Sequence, residues 1–191
     1  MDMNNTVGVI LLAALVLLML AIAGRQKLTA RTLTLTGLCA ALCIVLDLLA
    51  IYRLPQGGSI TLGKMVPLFV LANVCGWRVG LLGGAIVAML DFLVSPFIVH
   101  PIQFILDYPL AYMCLAVAGC FPRNRIIGGY CAVFLRFICH FVSGMIFFAA
   151  YAPAGVPAWQ YSLSVNGIWL AIEGSIAVFI YRLLPLDVLK K

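Results

Sequence analysis

Asp107, Tyr108, His140, Phe148, Tyr161 and Asn166 are side chains of this sequence that can act together chemically, because types and positions both set them apart. Each lies in or at the edge of an apolar run. An ionisable group inside such a run costs about 2.5–3.5 kcal/mol or more in a membrane, and it usually marks a pathway or a site. The ionisable groups so placed are Asp47, Asp91, Asp107, Arg136, His140 and Glu173. Asp107 follows soon after the loop that ends at Pro101, His140 lies in the later half of its run, and Asn166 opens the last run. The three therefore share one depth on three helices, which points to a cavity open to one side. Tyr108, Phe147, Phe148, Tyr151, Trp159 and Tyr161 gather at that level. A carboxylate among aromatic rings suits an organic cation: the ring faces attract the charge and the carboxylate neutralises it. Trp159 reads more simply as part of an interfacial aromatic belt.

Other readings compete for the same residues. Asp47 ends a run, where it is expected to face water. Arg136 is expected to hold a buried carboxylate, with Asp91, Asp107 and Glu173 as the choices. Arg136 and His140 are four apart and share a helix face. His140 and Ser143, three apart, can be drawn as the base and nucleophile of an intramembrane hydrolase, although no third group is evident. A protein that only packs against membrane partners is the remaining class.

The elements that must position these groups follow from composition. Of the 191 residues, 65% are hydrophobic and 9% charged, and mean hydropathy is +1.16. A soluble domain is nearer 45–50% apolar and about 25% charged, so the chain is expected to span a membrane. Apolar runs lie at 7–24, 33–52, 65–76, 79–96, 102–120, 126–150 and 163–184. Seven spans of roughly 20 residues leave no room for a soluble ATPase or nucleic-acid-binding module. The runs are continuous, unlike the alternating strands of a porin-like barrel. The fold class is therefore all-α, a polytopic helical bundle in a lipid bilayer. The third run is short and contains Pro67 and Asn73, so neighbours must shield it.

Charge sets the orientation. With the N-terminus outside, Arg25, Lys27, Arg31, Arg78, Arg123, Arg125, Arg182, Lys190 and Lys191 fall inside, whereas Arg53 and Lys64 fall outside. That is nine of twelve basic residues on one side, as the positive-inside rule requires. The C-terminus is then cytoplasmic, and the net charge of +6 is explained without a nucleic-acid partner. The longest linkers, 53–64 and 151–161, lie outside. The first run, preceded by Asp2 and followed by basic residues, reads as a retained span rather than a signal peptide.

One motif misleads, the cysteines form none, and two small-residue faces suit helix packing. GSITLGK at 58–64 has the glycine and lysine spacing of a P-loop, but Met65 stands where the metal-binding hydroxyl belongs. The seven cysteines include no C-x-x-C pair, so neither a metal nor a redox framework is expected. Gly37 and Ala41 form a small-xxx-small face through which another helix can approach closely. Gly80, Gly83 and Gly84 form a second.

LPQGGSI at 54–60, HPIQFILDY at 100–108, RFICHFVSGMIFFAAYAPAG at 136–155 and YSLSVNG at 161–167 resemble the thiamine-specific substrate-binding subunits (S components) of energy-coupling factor transporters, the ThiT family. The resemblance covers the chain from about 33 to 182. It implies a six-helix core, residues 32–191, with an extra N-terminal helix and cytoplasmic linker at 1–31. It also implies a thiamine pocket near the outer face. The family's binding carboxylate falls on Asp107 and its tyrosine on Tyr108, its histidine on His140, its stacking aromatic on Phe148, and its loop tyrosine and asparagine on Tyr161 and Asn166. Some members carry Glu at the position of Asp107, Trp at that of Phe148, and a Trp near Gly57 and Gly58. The resemblance implies no cofactor, no catalysis and no metal. It implies partners in a transmembrane coupling subunit, met by the face of Gly37 and Ala41, and in two cytoplasmic ATPases. Another small vitamin or pyrimidine precursor is the alternative ligand.

Overall fold

The computed structural model describes residues 3–54 and 58–189. Asp2, Gly57, Lys190 and Lys191, which entered the sequence reading, lie outside the described residues. Among those described, seven helices cover the seven apolar runs. Helix α1 is Met3–Gly24 and α2 is Ala30–Leu48. Thr29 caps α2 reciprocally with Thr32: each hydroxyl accepts from the other's backbone N–H, at 2.8 and 3.2 Å. Strands β1 (Tyr52–Arg53) and β2 (Ser59–Ile60) form an antiparallel hairpin with Tyr52 opposite Ile60. This hairpin stands where the sequence promised only a loop, because two-residue strands are too short to show a period.

Helix α3, Val66–Cys75, has only ten residues, a rise of about 15 Å. That is half the hydrocarbon thickness of about 30 Å, and seven of its residues are buried accordingly. Phe69 and Tyr181 pack ring to ring beside it with centroids 5.4 Å apart, and the Asn73 amide donates to the Tyr181 hydroxyl at 2.7 Å. Gly76, at φ 93°, turns the chain sharply into α4, Trp77–Val94. Asn124 caps α6, Arg125–Phe147, and α7 is Ala158–Leu183. Helix α7 begins ahead of its apolar run because Pro157 starts it, and the polar turn that follows is helical without being hydrophobic.

The helix α5, Pro101–Cys120, is irregular, and the site depends on it. Its backbone is π-helical over Leu106–Leu110 and 3₁₀-helical over Cys114–Cys120. Pro109 lies within the π turn and lacks an N–H, so the ordinary i to i−4 ladder cannot close there. The Ala111 N–H reaches back to the Leu106 carbonyl instead. Helix α4 packs directly on this stretch: a Cβ on Gly84 would lie 2.7 Å from the Tyr112 carbonyl oxygen and 2.8 Å from the Met113 Cα. The glycine face at 80–84 therefore serves contacts within the chain. The face of Gly37 and Ala41 does not: both are exposed, and among the described residues nothing lies within 4 Å of a Cβ placed on Gly37.

Candidate functional site

All six singled-out residues line one cavity. It has a volume of about 160 Å³, far above the roughly 10–15 Å³ that admits one water, so it suits a small organic molecule. Asp107 and Tyr108 reach it from the π turn of α5, His140 from α6, Phe148 from the end of α6, and Tyr161 and Asn166 from α7. The β1–β2 hairpin lines it through Arg53, Gly58 and Ser59.

Asp107 is held by three donors. Gln103 Nε2 donates to Oδ2 at 2.8 Å and Ser143 Oγ to the same oxygen at 2.8 Å, while His140 Nδ1 lies 2.9 Å from Oδ1. Among the described residues no Lys or Arg pairs with it. The Asp107 and His140 side chains are 15% and 12% exposed, so they are largely removed from water yet reachable from the cavity. With Nδ1–H donated to Asp107, His140 presents Nε2 as an acceptor. Nε2 is buried and lacks a partner among the described residues, which leaves it to a donor entering the cavity. Ser143 gives its proton to Asp107 rather than to His140, so the hydrolase pairing does not form.

The neighbouring polar groups are already engaged. The Tyr108 hydroxyl accepts from Phe97 N at 3.0 Å and donates to Ser95 O at 2.9 Å; what it leaves for a ligand is the ring. Asn166 Nδ2 donates to His140 O at 3.2 Å and Ser162 Oγ at 3.1 Å, and Oδ1 accepts from Trp169 Nε1 at 3.2 Å. One lone pair of Oδ1 is left over. Phe148 stacks on Phe97 with centroids 5.9 Å apart.

Two expectations about charge are corrected. Asp47 does not face water. It is 3% exposed and accepts from Lys64 Nζ at 2.7 Å, Ser59 Oγ at 2.6 Å and Arg53 NH1 at 3.3 Å. Lys64, counted above as a loop charge, is equally buried. Arg136 has no carboxylate partner among the described residues. Its guanidinium sits over the Tyr112 ring, 4.2 Å from the centroid, and the Tyr112 hydroxyl donates to Asp91 at 2.8 Å. Sequence reasoning also missed Trp169, which lines the cavity, is 3% exposed and meets His140 edge to face at 5.4 Å. Its spacing of three from Asn166 on one helix face was the signal. Trp159, by contrast, is 54% exposed, as a belt residue should be.

This arrangement is a partly open polar and aromatic chamber in which Asp107 has no Lys or Arg partner among the described residues. Residues 33–191 match the thiamine transporter protein family. The chain belongs to that family. Among curated relatives it is 30% identical over 167 residues to the thiamine transporter ThiT of Bacillus subtilis, covering 78% of this chain and 86% of that one. It is 29% identical over 123 residues to ThiT of Lacticaseibacillus paracasei, covering 54% and 61%. The structure of ThiT from Listeria monocytogenes superposes with a TM-score of 0.74 at 25% identity, over 82% of this chain and 93% of that one. The family is one of multi-pass membrane transporters rather than enzymes, and the helical bundle described above has the same fold.

Proposed function

We propose that the cavity captures thiamine at the outer face of the membrane for uptake, with the chain acting as the S component of an energy-coupling factor transporter. The observation that carries this reading is Asp107: a carboxylate fixed by three hydrogen bonds, unpaired with any Lys or Arg among the described residues and faced by aromatic rings. A cationic ligand completes its charge. The thiazolium of thiamine is a quaternary nitrogen that loses little on leaving water, and the rings of Phe148, Tyr161 and Tyr108 offer it π faces. The aminopyrimidine brings an amino donor, and His140 Nε2 is a buried acceptor awaiting one. The Asn166 Oδ1 lone pair offers a second acceptor.

Energy for uptake comes from partners: a transmembrane coupling subunit that meets the exposed face of Gly37 and Ala41 and works with two cytoplasmic ATPases. The P-loop resemblance at 58–64 gives no alternative source, since the Lys64 ammonium is bound to Asp47 and Ser59. The basic residues of the linkers support a cytoplasmic C-terminus and an outer N-terminus.

The test is calorimetric titration of the purified chain with thiamine and with hydroxymethylpyrimidine, which lacks the cation. Saturable binding of thiamine, weakened about 10–100-fold by Asp107→Asn, is expected for the loss of a charge-assisted contact of about 1.5–3 kcal/mol. Equal affinity for both compounds, or an Asp107→Asn variant within threefold of the parent, overturns the assignment.

A further inference from the structure

Helix α1 precedes the family match, which begins at residue 33, and its position in the fold gives it work. Backbone that departs from an α-helix is tolerated at membrane depth only where protein or a water-filled cavity covers it, because lipid cannot bond to the displaced polar groups. Helix α5 departs twice, over Leu106–Leu110 and Cys114–Cys120. Helix α1 lies against the first, and near the second it shares a cluster that Leu81 of α4 completes. Leu12 and Met19 pack into the cluster of Leu106, Leu110 and Ala111. Val16, Met19, Leu20 and Ala23 pack with Met113 and Ala116. At the outer end, a Cβ on Gly8 would stand 3.0 Å from the Ile102 side chain, one residue before Gln103. The opposite face of α1, with Ile10, Leu17 and Leu18 at 57–65% exposure, is bare.

Leu106 and Leu110 bracket Asp107 and Tyr108 within the same π turn. One side of that turn meets α1 and the other meets the cavity. We infer that α1 is a positioning element for the binding site: it clamps the π turn of α5 from the lipid side and so fixes the Asp107 carboxylate against Gln103, Ser143 and His140. Leu12 and Met19 are the residues that carry the clamp, and Gly8 sets how closely its outer end seats. This rests on the thiamine reading of the cavity for its functional consequence, but not for the clamp itself.

The experiment uses the full chain and two readouts. One is the rate of thiamine release; the other is hydrogen exchange of the backbone amides at 106–111 in the ligand-free protein. The variants are Leu12→Ala with Met19→Ala, which empties the clamp; Gly8→Leu, which wedges its outer end against Ile102; Met19→Leu, which keeps the volume; and Leu17→Ala on the bare face. The first two are expected to release thiamine about tenfold faster and to speed exchange at 106–111 while leaving exchange within α6 unchanged. Met19→Leu and Leu17→Ala are expected within twofold of the parent. Unchanged release and exchange in both clamp variants overturns the inference. So does exchange that rises equally in every helix, which would mean general loosening. A parent chain that binds no thiamine refutes the functional reading instead, and exchange at 106–111 still decides the clamp.

Discussion

Asp107, His140 and Trp169 form a continuous series of contacts from a carboxylate to an indole, and the indole can therefore report on the carboxylate's ligand. Trp169 touches His140 by its ring and Asn166 by its N–H, and it is nearly inaccessible to solvent. A ligand that contacts His140 Nε2 changes the surroundings of this indole and leaves exposed Trp159 alone. Thiamine titrated into the parent is thus expected to change tryptophan emission. Trp169→Phe removes most of that change and Trp159→Phe removes little; the check is the amplitude of the fluorescence response. If Trp159→Phe abolishes it instead, the ligand lies over the start of α7 and not in the chamber. Asp107, His140 and Asn166 were legible because polar side chains inside apolar runs are rare and counting from the nearest loop gives their depth, and Tyr108, Phe148 and Tyr161 because aromatic residues gather at that level. Trp169 was not, since a tryptophan in a hydrophobic helix is ordinary core. Asp47 and Lys64 were misread for a related reason: each sits at the end of a run, where water is the default neighbour, and only the folded hairpin takes it away.

Asp47 at the end of α2, Ser59 on β2 and Lys64 before α3 join three elements through one buried carboxylate. Removing one partner of a buried ion pair leaves a charge without compensation, at a cost of about 3–5 kcal/mol, whereas replacing both members can be nearly neutral. Lys64→Met leaves Asp47 only the longer contact to half-exposed Arg53 and is therefore expected to lower the thermal midpoint of the purified protein below that of the parent. Adding Asp47→Asn to it should recover much of the loss, as judged by a thermal melt in detergent. A pair of effects that simply add would show that the two side chains do not depend on each other. Gly84→Ala gives a second measure at this scale. The added methyl meets backbone of α5 at Tyr112 and Met113, which cannot rotate away, so a loss of about 1–3 kcal/mol from overpacking is expected. The helices themselves were read from hydropathy to within a few residues. The π turn was not, although Pro109 within an apolar run was its sign: a proline removes one hydrogen bond without saying whether the helix kinks, stops or widens.

On the proposed reading, the whole molecule divides its labour between a chamber lined by its own side chains and an energy source supplied by partners. The GSITLGK segment folds as β2 and a turn, with its lysine held inside by Asp47 and Ser59, so no phosphate can reach that ammonium without breaking the buried pair. Binding and uptake are therefore expected to separate cleanly. Vesicles holding this chain alone should retain thiamine only in proportion to the number of chains, with or without ATP. Vesicles that also hold the coupling subunit and both ATPases should accumulate it many-fold beyond that number when ATP is supplied. Gly37→Leu with Ala41→Leu should discriminate further. Both positions are exposed, and a Cβ at Gly37 has nothing within 4 Å of it among the described residues, so thiamine affinity is expected within twofold of the parent. Close helix approach at that face is lost, however, and ATP-driven accumulation should fall to the level of the chain alone. Radiolabelled thiamine counted in both kinds of vesicle decides the matter. Accumulation by the chain alone would locate a driving force within these helices, and full accumulation by the double variant would move the coupling surface away from α2.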